Sequence, residues 1–318
     1  MRTTNLALAV LTILALSMTA SPGRAQSWPT QIVKIVTPFP PGSGGDITAR
    51  PFAERLAKRW GKPVIVENRP GADGIIAVTA VVNSSDGHTL LYTNGGPLTS
   101  NLLSHAGSLP YKADDLLPVA AAAAAYVAIG VPASLATNSL PEFVAQARLR
   151  EGQFNWSGTP GSLDYLVPGF LKRAGIDIPR VPYREVSLAM QDLSQDRLQL
   201  YVAALATQLP MAQSGKIKII ALTNSQRSPS LPDVPTAREA GFPELEYEAF
   251  LGFFAPRGMP AALRERISAD LRAIGAEEDL ASRFDTIGMR VRVTSPAELQ
   301  KIVADERAAL ARYTQATR

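Results

Sequence analysis

The chain has 318 residues, a formal net charge of +4, two histidines and no cysteine. Without thiols there are no disulfide staples, cysteine nucleophiles, cysteine-zinc sites or iron-sulfur clusters, so the fold must rest on its own apolar core. The nearly balanced charge offers no basic tract for nucleic acid or an anionic membrane surface, and two histidines are too few for a multi-histidine metal site.

The first 25 residues predict a secretory signal: Arg2 supplies the positive start, residues 6–16 an apolar run shorter than the ~20 a spanning helix needs, and Gly23-Arg24-Ala25 a small-x-small cleavage site. The expected mature chain begins at Gln26 and lies in the periplasm. Its roughly 290 residues are enough for one large or two medium domains. The excised segment carries Arg2 and Arg24 and no acid, so the mature charge falls to about +2.

From Ile32 onward, short β-branched runs alternate with amphipathic helical stretches, the pattern of an α/β fold. Strands are predicted over residues 32–37, 64–67, 89–93, 127–131, 154–157, 198–202 and 217–223. Between the first two, Ile47, Phe52, Ala53, Leu56 and Trp60 recur at helical spacing, with Pro51 expected to kink that helix or to mark where its regular part begins. Ser139-Leu-Pro-Glu142, Thr236-Ala-Arg-Glu239 and Ser295-Pro-Ala-Glu298 each fit a capping box that opens a helix. The last starts a long C-terminal helix, preceded by helices over 260–275 and 277–287 and a short strand over 290–293.

Two apolar stretches, 119–131 and 248–256, read as crossings between lobes. They divide the chain into a discontinuous first lobe, residues 26–124 and 249–318, and a second lobe, residues 125–248.

A local pattern recurs once in each predicted lobe. IVKIVTPFPPGSGGDI and QFNWSGTPGSLDYL both run strand, Pro-Gly-Ser, acid, helix. In open α/β sheets ligands bind beyond the carboxyl ends of strands. Glycine admits a close backbone approach, and the helix that follows directs unpaired N–H groups into the gap. The two loops, Pro41-Gly42-Ser43 and Pro160-Gly161-Ser162, therefore suggest half-sites for a carboxylate. The alternative is a pair of ordinary βα turns, with Ser43 or Asp46 capping the helix. Phosphate is disfavoured, because neither the P-loop nor the full dinucleotide glycine pattern is present. Trp156 either lines the cleft or packs in the core. Arg184 either pairs with a carboxylate or is solvated beside Glu185, and Arg69 shapes a turn. A hydrolase using Ser43 or Ser162 is the competing class of function, but no Gly-x-Ser-x-Gly elbow presents either serine.

The segments PFPPGSGGDITAR (38–50), VIVENRPGADG (64–74), DGHTLLY (86–92), LPYKADDLLPV (109–119) and TNSQRSPSLPDVPTAREAGFP (223–243) together resemble the extracytoplasmic solute receptors of tripartite tricarboxylate transporters, the Bug family. The resemblance spans nearly the whole mature chain. It implies a type II periplasmic binding-protein fold, two α/β lobes closing like a flytrap on a small organic acid. It also implies a monomer that delivers its ligand to membrane permease subunits, with no cofactor, metal or catalytic residue. A ligand-loaded receptor presented to a sensor is the variant of this output. Carried over by position, the lobe-one contacts are Phe39, Gly42, Ser43, Asp46, Thr93 and Asn94; those of lobe two are Ser157, Gly161, Ser162, Tyr183 and Ala203, beside Trp156 and Arg184. Relatives usually carry Ser-x-Gly-x-Gly-Ser-x-x-His where this chain has Ser157-Gly-Thr159-Pro-Gly161-Ser162-Leu-Asp-Tyr165, and Tyr-Lys-Gly where it has Tyr183-Arg184-Glu185. The acids usual near Gln199 and Ala203 are missing, which disfavours a ligand with an ammonium group.

Overall fold

The computed structural model describes residues 28–316 except Pro160 and Arg184, with the backbone alone for 312–316. The expected signal segment and the Arg184 contact lie outside the described residues. The first part of the chain forms β1 (Val33–Thr37), α1 (Gly44–Trp60), β2 (Val64–Asn68), α2 (Ile75–Val82), β3 (Thr89–Asn94), the short α3 (Asn101–Ser104) and β4 (Leu116–Ala125). Next come β5 (Val127–Pro132), α4 (Leu140–Leu149), β6 (Trp156–Gly158), α5 (Leu163–Arg173), α6 (Val186–Ser194), β7 (Leu200–Ala204), α7 (Leu205–Gln213) and β8 (Ile217–Leu222). The last part forms β9 (Ala249–Pro256), α8 (Ala261–Gly275), α9 (Glu278–Asp285), β10 (Met289–Val291) and α10 (Pro296–Ala316).

These strands build two mixed sheets, one ordered β10-β4-β9-β3-β1-β2 and the other β6-β7-β5-β8. In the first, Val33, Ile35, Leu90 and Tyr92 pack on α1, α8 and α9, while their alternating neighbours Val36 and Leu91 pack on α2 and α10. Period-two alternation thus buries both faces and makes a three-layer lobe. Phe52 of α1 is fully buried and meets Phe253 and Phe284 edge-on, with centroids 5.7 and 6.0 Å away, the arrangement favoured by aromatic quadrupoles. The second sheet packs its Val127, Ile129, Leu200 and Val202 face on α4 and α5 and its Tyr201 and Ala203 face on α6.

Every predicted strand has a counterpart. The largest shifts are at β6 and β7, which each start two residues late; just before β6, Asn155 is held by Gln199 and the Arg197 carbonyl. Helix α1 runs through Pro51 as one element. The capping boxes at Ser139 and Ser295 do open helices. The one at Thr236 forms its reciprocal bonds with Glu239, but only a turn follows. There Thr236 bridges Leu222 and the Ala237 N–H donates to the Leu222 carbonyl, so pairing with β8 displaces a helix.

The chain passes between the sheets at Tyr126, between β4 and β5, and again at Tyr247–Glu248, just before β9. Both passages are stitched by Thr223 and Asn224. Asn224 accepts from the Val127 N–H at 2.8 Å and donates to the Ala125 carbonyl at 3.0 Å, so one buried amide holds both sides of Tyr126. Thr223 donates from Oγ1 to the Tyr247 carbonyl at 2.7 Å, and its own carbonyl accepts from the Tyr247 N–H at 2.9 Å. Buried backbone groups left without partners cost about 1–3 kcal/mol each. Asn224→Ala is therefore expected to lower unfolding stability by about 2–4 kcal/mol, read from urea denaturation. A loss under about 0.5 kcal/mol, the scale of an ordinary surface change, would show that the amide is dispensable.

Candidate ligand cleft

Parallel neighbours send their loops off the same edge of a sheet. In the first lobe β1 pairs in parallel with β3, and in the second β6 pairs in parallel with β7. The turns after β1 and β3 consequently lie together, with Pro38 and Pro97 both packed near Gly74. The turns after β6 and β7 bring Thr159, Gly161 and Ala204 to one place. Between the lobes lies a cavity of about 350 Å³. Lobe one contributes Asp73, Asn94, Gly96, Ser100, Asn101, Ser104 and His105 to its wall; lobe two contributes Thr159, Gly161, Ser162, Leu163, Asp164, Tyr165 and Ala204. Val127, Tyr247 and Ala249 of the crossing segments close the rear. No lysine or arginine is among the described residues of this wall.

The two Pro-Gly-Ser loops share an internal tie. The Gly42 N–H donates to Asp46 Oδ2 at 2.9 Å, and the Gly161 N–H donates to Asp164 Oδ2 at 3.0 Å. In each loop the glycine has positive φ, +80° at Gly42 and +119° at Gly161, and the acid stands in the first helical turn. The glycine N–H groups are thus taken, and the free donors are the first helical N–H groups, such as those of Gly44, Gly45 and Leu163. Asp46 is buried and also receives Arg50 Nη2 at 2.8 Å and Asn68 Nδ2 at 2.7 Å. Burial pushes its pKa up, but bonds from Arg50, Asn68 and Gly42 outweigh it and hold the carboxyl below the usual aspartate range. Asp164 goes the other way. Burial raises it, with a contribution from Asp73, and the Gly161 N–H and Arg180 at 2.6 Å only partly offset this.

Of the residues expected at the site, Asn94, Gly161 and Ser162 line the cavity. Thr93, Ser157 and Ala203 are buried beneath it within β3, β6 and β7. The ring of Phe39 lies across Gly45 at the start of α1, and the Ser43 hydroxyl donates to the Pro40 carbonyl at 2.7 Å. Tyr183 donates to Asp192 at 2.7 Å, and burial pushes its hydroxyl up to about 12. Trp156 takes the core position: its side chain is in the lobe-two core, with Arg180 over the ring at 5.6 Å. The inward or outward face of a strand residue depends on register, which the sequence leaves open. Arg69 bonds Glu67 at 2.6 Å, as expected of a turn residue. Neither Ser43 nor Ser162 is hydrogen-bonded to a histidine among the described residues; His88 binds Thr30, Gln31 and Asp86, and His105 binds Ser104.

Sequence reasoning missed Asp73, His105, Asp164 and Tyr247. Asp164 had a readable signal, since it follows Gly161 by three residues much as Asp46 follows Gly42 by four. Tyr247 and His105 had none, because they reach the cleft through the crossing segment and through α3.

Two α/β lobes, joined by crossing strands and facing each other across one cleft at their strand ends, define a two-lobed binding protein of the periplasmic type. The family model described as tripartite tricarboxylate transporter family receptor matches residues 48–317, and the chain belongs to that family. Among curated proteins, BugT of Bordetella pertussis is 28% identical over 310 residues, covering 96% of this chain and 95% of its own length. A Bordetella bronchiseptica protein is 35% identical over 281 residues, covering 87% and 82%. Among solved structures, an R. palustris protein with adipate aligns with TM-score 0.78 at 28% identity, over 91% of this chain and 97% of its own. A Rhodopseudomonas palustris protein with bound malate aligns with TM-score 0.74 at 27% identity, over 90% and 99%. The periplasmic binding protein BugD gives TM-score 0.73 at 25% identity, over 91% and 98%.

The Asp46 tie has a definite pH signature. A carboxyl whose folded pKa is depressed contributes stability above its unfolded value, near 3.8, and loses it as pH falls below that. Asp46→Asn is expected to cost about 1–3 kcal/mol at pH 7. The gap to the natural protein should close as pH drops through 4 toward 3, followed by thermal unfolding across that range. A gap independent of pH would show that the charge of Asp46 is irrelevant.

Proposed function

We propose that this protein is a periplasmic receptor that captures a small mono- or dicarboxylate between its lobes and hands it to the permease subunits of a tripartite tricarboxylate-type transporter. The observation that carries this reading is the cleft: about 350 Å³ at the strand ends of both lobes, in a chain of a receptor family whose solved relatives include adipate- and malate-bound proteins. The lobes would comprise residues 26–124 with 249–318, and 125–248. The observed sheets support this, because β4 ends at Ala125 and β9 begins at Ala249. A ligand between such lobes is released from water by hinge closure, and the crossings at Tyr126 and Tyr247 are the segments about which closure would turn. The receptor would act as a monomer and would need no cofactor.

The anion would be held without a cationic side chain. Helix-start N–H groups of α5, the amides of Asn94 and Asn101 and the hydroxyls of Ser100, Ser104 and Thr159 supply donors, and the positive end of α5 supplies partial charge. The two acids on the wall set a limit. Asp73 and Asp164 repel a third carboxylate placed between them, so a short dicarboxylate, a hydroxy acid or a monocarboxylate fits this lining better than a tricarboxylate.

A ligand that binds the native state alone raises the melting temperature by mass action. A thermal-shift screen of mono-, di-, tri- and aromatic carboxylates is expected to find a shift for at least one small acid. No shift for any of them would count against the receptor reading. Gly161→Val should abolish that shift, because it places a branched side chain at φ +119°, where Ser100 Oγ lies 3.8 Å from the new Cβ across the cleft. Gly42→Val tests the other loop in the same way, and retention of normal affinity in both variants would refute the two-loop site.

A further inference from the structure

Behind the cleft, Glu306 of α10 reaches across the lobe boundary. Its carboxyl accepts the Ser162 hydroxyl, stands 3.5 Å from Thr99 Oγ1 and lies within hydrogen-bonding reach of the Tyr247 hydroxyl. It also fills the space that a side chain at position 95 would need, so Gly95 makes room for it. The charged groups around it are all otherwise engaged. On α10, Asp305 pairs with Lys301 at 2.7 Å and Arg307 donates to the Leu98 carbonyl at 2.5 Å. On the segment entering β9, Glu246 pairs with Arg238 at 2.5 Å and Glu248 with Arg290 and Arg292. On α5, Asp164 pairs with Arg180; on the far wall, Asp73 and His105 lie 3.9 Å apart. Among the described residues no cation forms an ion pair with Glu306.

Ser162 has a single hydroxyl proton, and it points away from the cleft toward Glu306. If Glu306 is ionised, a ligand carboxylate beside Ser162 meets only oxygen lone pairs, with a second anion directly behind them. If Glu306 is neutral, its own O–H donates to Ser162 Oγ, and the Ser162 proton turns into the cleft to donate to the ligand. We infer that Glu306 is a positioning residue that acts through Ser162 and makes capture of a carboxylate proton-linked: one proton from solvent settles on Glu306 as the anion binds. This rests on the receptor reading and deepens it. Burial raises the pKa of Glu306 above the usual glutamate range, against bonds from Ser162, Thr99 and Tyr247.

The test is adipate affinity by calorimetry from about pH 6.5 to 8.5, where aliphatic carboxyls are ionised, with malate as a second probe. In the natural protein affinity should fall by up to about tenfold per pH unit. Paired buffers of different ionisation enthalpy should report uptake of about one proton. Glu306→Gln presents a permanent amide donor to Ser162 and should bind with a flat pH profile; Ser162→Ala should bind more weakly and also lose the slope. His105→Asn and Asp164→Asn separate two further titratable groups on the wall, and both should keep the slope. A flat profile in the natural protein, an undiminished slope in Glu306→Gln, or a slope that vanishes only in His105→Asn or Asp164→Asn would overturn the proton link while leaving the receptor intact. Failure of every carboxylate in the screen to bind at any pH would instead overturn the receptor reading and this inference with it. A ligand-free arm reports on Glu306 alone. An acid whose folded pKa is raised loses stability as pH rises from its unfolded to its folded value, so the melting temperature of Glu306→Gln should gain on that of the natural protein over that span. A constant difference would count against a titrating Glu306.

Discussion

Much of this architecture depends on a backbone N–H that must not be left unpaired at a place where the chain turns sharply. At Gly42 and again at Gly161 the loop leaves a strand with positive φ, and the exposed N–H is taken by an aspartate from the helix that follows. The same bond in both lobes ties strand, loop and helix into one unit and fixes the direction of the helix start. The glycine N–H is therefore engaged within the loop, and the next N–H groups along belong to the first turn of the helix.

The two ties differ in what surrounds the aspartate. Asp46 has Arg50 and Asn68 on it and is held ionised, a structural member of lobe one. Asp164 faces the cleft, has one arginine at its side and Asp73 across the gap, and its carboxyl is pushed up. Equivalent positions in two lobes have thus become a scaffold in one and part of the binding wall in the other. The lobes also meet through Ser162 and Glu306, and the crossings between them are fastened by Thr223 and Asn224. The bonds that fasten the crossings and the contact that joins the lobes thus lie close to the cavity wall.

The order of strands, the crossings and the repeated loop were legible because each is local: a β-branched run, an apolar decade and a glycine turn are written within ten residues. Where local signals misled, a long-range bond had prevailed. The Thr236 capping box formed its bonds and yet no helix followed, because the β8 edge offered the backbone another partner. Trp156 stood next to a binding loop in sequence and turned into the core, since the face a strand residue takes is decided by register against its neighbours. Residues of the segments that carry the resemblance act as structural fasteners: Asn224, second in the TNSQRSP segment, holds the crossing, and Asn68 of the ENRPG segment holds the first loop.

By itself, then, the sequence determined the class of fold, the family and the two glycine turns that follow β1 and β6, because propensity, periodicity and glycine placement act over short spans. Only the tertiary structure decided which groups line the cavity or stand behind it. Asp73, His105, Tyr247 and Glu306 come from four separate segments, and the last two are more than eighty residues from the Gly161 loop they approach. A carboxyl's meaning, whether clamp, wall or proton-binding group, depends on which donors and charges surround it. That neighbourhood exists only once the lobes have packed.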